Sequence, residues 1–197
     1  MQLGFYFDQR RCTGCYTCVV ACKEWHQVPP GPASWCRLKS IEEGRFPEVW
    51  LAYAFLPCYH CAQPACVPAC PTEAISKRPE DGIVVVDRDA CLSGCRSCLQ
   101  ACPYDAPQFR DPDAKMEKCD LCLDRLQEDR EPLCVATCPL RALQVGPLED
   151  LRETTGGEDR APGLPDPSLT QPSAVFRPRP PRARANPRSL REGSGRG

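Results

Sequence analysis

Sixteen cysteines fall into four groups of four, and their spacing could wrap metal centres. The groups are Cys12, Cys15, Cys18, Cys22; Cys58, Cys61, Cys66, Cys70; Cys91, Cys95, Cys98, Cys102; and Cys119, Cys122, Cys134, Cys138. The first reads C-x2-C-x2-C-x3-C, the second C-x2-C-x4-C-x3-C, the third C-x3-C-x2-C-x3-C and the fourth C-x2-C-x11-C-x3-C. Pro71, Pro103 and Pro139 follow the last cysteine of three groups, and Lys23 follows Cys22. A [4Fe–4S] cube presents four iron corners. A tight loop with cysteines two residues apart reaches adjacent corners, and the last ligand must come from elsewhere in the chain. In two-cluster ferredoxins the fourth cysteine of such a run ligates the other cube. Four groups supply the thiols of four cubes, so the expected cofactors are four [4Fe–4S] clusters.

Two other uses of cysteine fit less well. Structural zinc takes two C-x2-C pairs separated by a spacer, whereas residues 12–22 hold four cysteines within eleven positions. Disulfides belong to exported chains and give no reason for a fourfold pattern. Only eleven residues precede Cys12, and they hold no apolar core of a signal peptide. No window approaches eighteen apolar residues, so no membrane span of its own is expected.

Cys36 stands outside the groups, between Trp35 and Arg37, and reads as a free buried thiol. The only histidines, His26 and His60, each lie beside a cysteine group. They suit support of a centre better than catalysis, and no catalytic group is evident. Lys23, Arg96 and Lys118 are cations that would raise a cluster potential if they approached its sulfurs.

The elements that must position these loops are sparse. Residues 4–8 and 82–87 read as short strands, each ending at an Asp before a cysteine loop. Stretches such as 19–25 suit one or two helical turns, and 41–57 could form a hairpin. Twenty residues join Cys70 to Cys91 and include a Val-rich strand, like the middle of a bacterial two-cluster ferredoxin. Pairing of the second and third groups leaves the first and fourth to each other. Cys138-Pro139-Leu140-Arg141-Ala142-Leu143 echoes Cys70-Pro71-Thr72-Glu73-Ala74-Ile75. The expected fold is α+β: two nested ferredoxin-like two-cluster units with little regular secondary structure. The outer unit would take 1–52 and 103–150 and the inner unit 53–102.

From about Thr154 hydrophobic periodicity fades. Residues 161–197 carry eight prolines and seven arginines, a local charge of +5 in a chain of 197 residues with net charge −1. A Pro/Arg-rich disordered tail is expected over 151–197. Its Arg177, Arg179, Arg182, Arg184 and Arg188 could meet an anionic surface or an acidic partner. The body is mildly acidic, so nucleic-acid binding is not expected.

Four groups in this order, with Ala101-Cys102-Pro103-Tyr104-Asp105-Ala106-Pro107-Gln108-Phe109 and Lys118-Cys119-Asp120-Leu121-Cys122, resemble a known family over roughly residues 3–150. It is the four-cluster iron–sulfur (beta) subunits of dimethyl sulfoxide reductase-family molybdopterin oxidoreductases. The resemblance implies four ligand sets. Cys12, Cys15, Cys18 and Cys138 would hold cluster 1, and Cys22, Cys119, Cys122 and Cys134 cluster 2. Cys58, Cys61, Cys66 and Cys102 would hold cluster 3, and Cys70, Cys91, Cys95 and Cys98 cluster 4. The extra residue between Cys91 and Cys95 departs from the family spacing. The resemblance further implies a non-catalytic electron-transfer subunit. It would pass electrons between a large molybdopterin (Mo or W) subunit and a membrane anchor, quinone or other redox partner. The alternative is a relay in a different redox enzyme, such as a hydrogenase or an aldehyde oxidoreductase. The expected location is the cytoplasm, or the membrane or periplasm after export with a signal-bearing partner.

Overall fold

A computed structural model describes residues 1–110 and 112–180. Its centre is a three-stranded sheet of β1 (Leu3–Asp8), β8 (Leu143–Pro147) and β9 (Ala174–Arg177), with β1 in the middle. β1 pairs antiparallel with β8 and parallel with β9. The run Leu-Gly-Phe-Tyr-Phe-Asp suits a strand covered on both faces. Phe5 and Phe7 enter the main core beside Phe55, while Tyr6 meets Leu148, Leu151 and Val175 on the opposite face.

Helix α1 (Thr17–Trp25) carries Cys18 and Cys22 on its buried side. A hairpin with nine residues in each strand follows, β2 (Arg37–Arg45) and β3 (Glu48–Leu56). The expected hairpin is present, and it starts earlier than its sequence suggests. β3 runs through residue 52, so the expected boundary between 52 and 53 falls within a strand, and the hairpin is continuous to Leu56. Short antiparallel pairs then join β4 (Ile75–Lys77) to β5 (Val84–Val86), and β6 (Gln108–Phe109) to β7 (Met116–Glu117). Between them lies α2 (Ser97–Ala101). Single helical turns α3 (Leu123–Leu126) and α4 (Leu133–Ala136) flank the last cysteine loop.

Aspartates set the entry to these loops, as their sequence positions suggest. The carboxylate of Asp8 accepts the Arg10 amide (2.9 Å), and that of Asp87 accepts the amides of Asp89 and Ala90. A side chain that bonds backbone two residues on fixes a turn locally.

The expected disorder of 151–197 is corrected for the residues described. Helix α5 (Leu148–Thr155) packs Leu148 and Leu151 under Tyr6 and ends at Gly156 in the left-handed region (φ 57°). Residues 167–169 form a 3-10 turn whose start is capped by Asp166. β9 buries Ala174, Val175 and Phe176 almost completely. The prolines obscured this strand, whose apolar run Ala-Val-Phe is only three residues long. Residues 181–197, with Arg182, Arg184 and Arg188, lie outside the described residues.

Candidate metal centres

A left-handed residue stands directly before the second cysteine of every group. These are Gly14 (φ 70°), His60 (φ 46°), Gly94 (φ 76°) and Leu121 (φ 64°). Such residues turn successive amides toward one side and make anion-binding concavities that suit iron–sulfur sites. Their shared place accounts for the wider Cys91–Cys95 gap, because Gly94 keeps the position before Cys95 that Gly14 keeps before Cys15. Gly14 is also sterically required, since a Cβ there would lie 2.3 Å from the Tyr53 ring.

The four sets implied by the resemblance are brought together in space. Cys12, Cys15, Cys18 and Cys138 line one cavity, so thiols far apart in sequence meet. Cys58, Cys61, Cys66 and Cys102 line a second, shared with Tyr59, Tyr104, Lys118 and Thr170. Cys70, Cys91, Cys95 and Cys98 line a third. Cys22, Cys119, Cys122 and Cys134 are all buried, and Cys22 and Cys134 lie close enough to Cys119 to push its pKa up further. Thus each set joins cysteines from two groups. Among the described residues no three His, Cys, Asp or Glu side chains converge closely enough for a single metal ion. The thiols stand round voids instead.

Burial keeps several of these thiols from ionising unaided. It pushes Cys61 and Cys98 up to about 11, and Cys66 and Cys122 to about 12. Cys119 and Cys134, wholly enclosed, rise well above the ordinary thiol value, first through burial and then through the neighbouring sulfurs. A coordinated metal reverses this logic and holds the ligand as a thiolate. Amide donors already face several sulfurs. Met116 N–H donates to Cys91 Sγ (3.4 Å) and Ala142 N–H to Cys138 Sγ (3.3 Å). The amide of Gly14 faces Cys12. Left-handed loops, gathered thiols and inward amides together fit a thiolate-held cube.

The remaining sequence candidates separate clearly. Cys36 is buried between two sets: its Sγ donates to the Cys18 carbonyl (3.5 Å) and also contacts the sulfurs of Cys18 and Cys22. His26 stacks on Trp35, with ring centroids 4.1 Å apart, and brings Nε2 to 3.4 Å from Cys122 Sγ. His60 is enclosed, and its Nδ1 accepts the Val84 amide (3.0 Å), which leaves the proton on Nε2. Lys23 instead holds the loop after α1, donating to the carbonyls of Gly31 and Ala33. Arg96 lies over the Phe109 ring, 3.8 Å from its centre. Lys118 alone of these three cations lines a thiol cavity. Thr170 and Tyr104, which border the third set, were not singled out by sequence. The aromatic residue after Cys102-Pro103 could have pointed to Tyr104, whereas Thr170 lay in the stretch expected to be disordered.

Comparison with known proteins agrees with this architecture. Residues 49–148 match the family described as "4Fe-4S dicluster domain" and residues 3–24 the "4Fe-4S binding domain". The protein is therefore an iron–sulfur protein built from ferredoxin-type domains. It is 43% identical over 185 residues to a chain of the anaerobic dimethyl sulfoxide reductase of Escherichia coli K12, covering 90% of this protein and 89% of that relative. The corresponding polypeptide of Haemophilus influenzae is 40% identical, with the same coverage. A subunit of the sulfite dehydrogenase of Allochromatium vinosum is 37% identical over 169 residues, covering 76% of this protein and 70% of that relative. The protein belongs to the family of these iron–sulfur subunits, and its function is electron transfer. Such a subunit works with a catalytic partner. No helix among the described residues is long and apolar enough to cross a membrane.

Proposed function

We propose that this chain holds four [4Fe–4S] clusters on the sixteen grouped cysteines and conducts electrons along them. The observation that carries this reading is the gathering of thiols from two groups at each of the three cavities, with the fourth set enclosed beside them. When bound, such clusters accept and release single electrons. The chain's own residues bind them, turn amides toward their sulfurs and keep water from the inner pair.

The sets have neighbours in a definite order. Cys18 of the first set acts electrostatically on Cys134 of the second, and Cys58 of the third acts on Cys119 of the second. Cys66 and Cys70 share a small apolar cluster that joins the third set to the fourth. A row follows: Cys12 set, Cys22 set, Cys58 set, Cys70 set. Its ends are the more open. Cys15 is exposed, as is Leu140 at the rim of the first cavity, and Leu92 is exposed at the rim of the last. Open ends and a closed middle suit a relay with one docking site at each end.

The domain reading follows from this pairing. An outer ferredoxin-like unit spans residues 1–56 and 103–150 and encloses an inner unit of 57–102. The partner at one end is a large molybdopterin (Mo or W) catalytic subunit, and at the other a membrane anchor or other redox protein. The protein's location is that of its catalytic subunit. The names of the dimethyl sulfoxide reductase relatives support this choice over a hydrogenase or aldehyde oxidoreductase relay. The chain supplies no catalytic group of its own. Affinity purification of the tagged full chain under anaerobic conditions, with mass spectrometry and molybdenum and tungsten analysis, tests the assembly. A large molybdopterin protein at one copy per chain is expected. Recovery of a hydrogenase large subunit instead would overturn it.

A further inference from the structure

Lys118 is a buried cation without a carboxylate. It is only 3% exposed, and Nζ donates to the carbonyls of Val84 and Cys119. Among the described residues no acidic side chain lies within ion-pair distance of it. The adjacent buried carboxylate, Glu117, is already engaged by Arg88 (3.3 Å) and Arg110 (2.9 Å). Three ammonium protons meet two acceptors, so one lacks a partner among the described residues. Burial of an ammonium without an opposite charge is strongly unfavourable. Something anionic is expected beside it.

The surroundings identify that anion. Lys118 lines the cavity of Cys58, Cys61, Cys66 and Cys102, and its charge bears on Cys66. It also precedes Cys119 of the neighbouring set. It therefore stands where the row crosses from the outer unit to the inner one. A cube with four thiolates is net negative in both redox states and gains one more negative charge when reduced. A fixed cation beside it favours the reduced form. Lys77 also faces this set through Cys61 and Cys58, but it is less buried and its ammonium reaches four oxygens, those of Gln2, His60, Cys61 and Gly82.

We infer that Lys118 is a positioning residue for electron flow: its ammonium is the counter-charge of the centre held by Cys58, Cys61, Cys66 and Cys102, and raises that centre's reduction potential. The rival view is that Lys118 only props β5. Both backbone polar groups of Val84 are taken by side chains, the carbonyl by Lys118 and the amide by His60. A prop needs a donor, whereas a counter-charge needs a cation.

The inference rests on the ligand sets proposed above, and the test separates the two. The anaerobically purified full chain is poised at a series of potentials with dithionite and mediators, and each centre is followed by electron paramagnetic resonance. Lys118→Gln keeps a donor for Val84 and removes the charge. Lys118→Arg keeps the charge. With Gln, one centre should show a reduced-to-oxidised ratio about tenfold lower at the wild-type midpoint, which for a one-electron couple is about 59 mV. The other centres should hold their midpoints, and Arg should stay near wild type. Loss of one centre's iron in Gln but not in Arg would also support a counter-charge. An unshifted Gln variant with full iron, an equal shift in both variants, or iron loss in both would overturn it. Cys61→Ala, which leaves no ligand atom, identifies the signal. If that variant keeps all its iron and sulfide, the ligand assignment itself fails, and the inference with it.

Discussion

Phe7 and Leu143 lie opposite each other across the antiparallel strands β1 and β8. Phe7 precedes the first cysteine loop, and Leu143 follows the last cysteine of the fourth group, Cys138. Their pairing brings the two outermost groups side by side. It is the backbone reason that Cys138 reaches the cavity of Cys12, Cys15 and Cys18.

The nested arrangement predicts which cysteines fail together. Cys138→Ala and Cys15→Ala should each remove the same centre, with a loss of about four iron atoms per chain. Cys102→Ala should remove the centre that Cys61→Ala removes, not the one lost with Cys98→Ala. Iron analysis combined with resonance spectra of the reduced chain reads both comparisons. A sequential pairing of the groups would instead couple Cys138 to the loss seen with Cys98→Ala.

The third strand of the sheet should contribute stability well beyond the cysteine region. Phe176 is 2% exposed and meets Tyr59 edge-on at 5.8 Å. Phe176→Ala should cost about 3–5 kcal/mol, read as a lower denaturant midpoint for the holo chain. Deletion from residue 174 onward should destabilise it at least as much, because β1 then loses its parallel neighbour. Unchanged unfolding after that deletion would show that β9 adds nothing.

His26 offers a pH-dependent test. Burial holds its pKa below the ordinary 6.5, against the opposing pull of Asp120 and Asp124. It is therefore neutral at pH 7.5. The folded-state value is depressed, so its contribution to stability is full above the unfolded value and is lost as pH falls through the folded one. Its Nε2 lies 3.4 Å from Cys122 Sγ, where a ring N–H donated to a ligand thiolate would raise a potential. His26→Phe keeps an aromatic ring for the stack on Trp35 and removes that donor. The potential of the Cys22-set centre should fall in this variant. In the wild type it should be flat with pH above neutrality and rise as His26 gains a proton. A wild-type profile matching that of His26→Phe at every pH would contradict this role.

Metal removal should unfold the chain rather than leave an empty scaffold. Eight of the seventeen cysteines are buried, and the main core packs thiols among Phe5, Phe55 and Tyr59. Oxidative cluster loss followed by chelation should collapse the circular-dichroism signal and abolish cooperative melting, because ligation and folding are linked.

The cysteine spacing carried most of the candidate site into view, because a thiolate ligand cannot be exchanged for another residue type without changing the chemistry. The strand over residues 4–8 was legible because its aromatic residues precede a turn-forming Asp. β9 was not, since its partner β1 lies some 170 positions away in sequence and nothing local announces a strand of four. The use of Lys118 was legible only in outline. Its sequence neighbours Glu117 and Cys119 suggest an ion pair, and only the fold shows that Glu117 belongs to Arg88 and Arg110. His60 and Leu121 likewise hide their left-handed conformations, because neither is a glycine.

The central claim is four cubes on sixteen thiols. Its most direct test is the iron and acid-labile sulfide content of the anaerobically purified full chain, with zinc measured in the same sample. The arrangement predicts about sixteen iron and about sixteen sulfide per chain, with negligible zinc. About two to four zinc per chain without sulfide would contradict it.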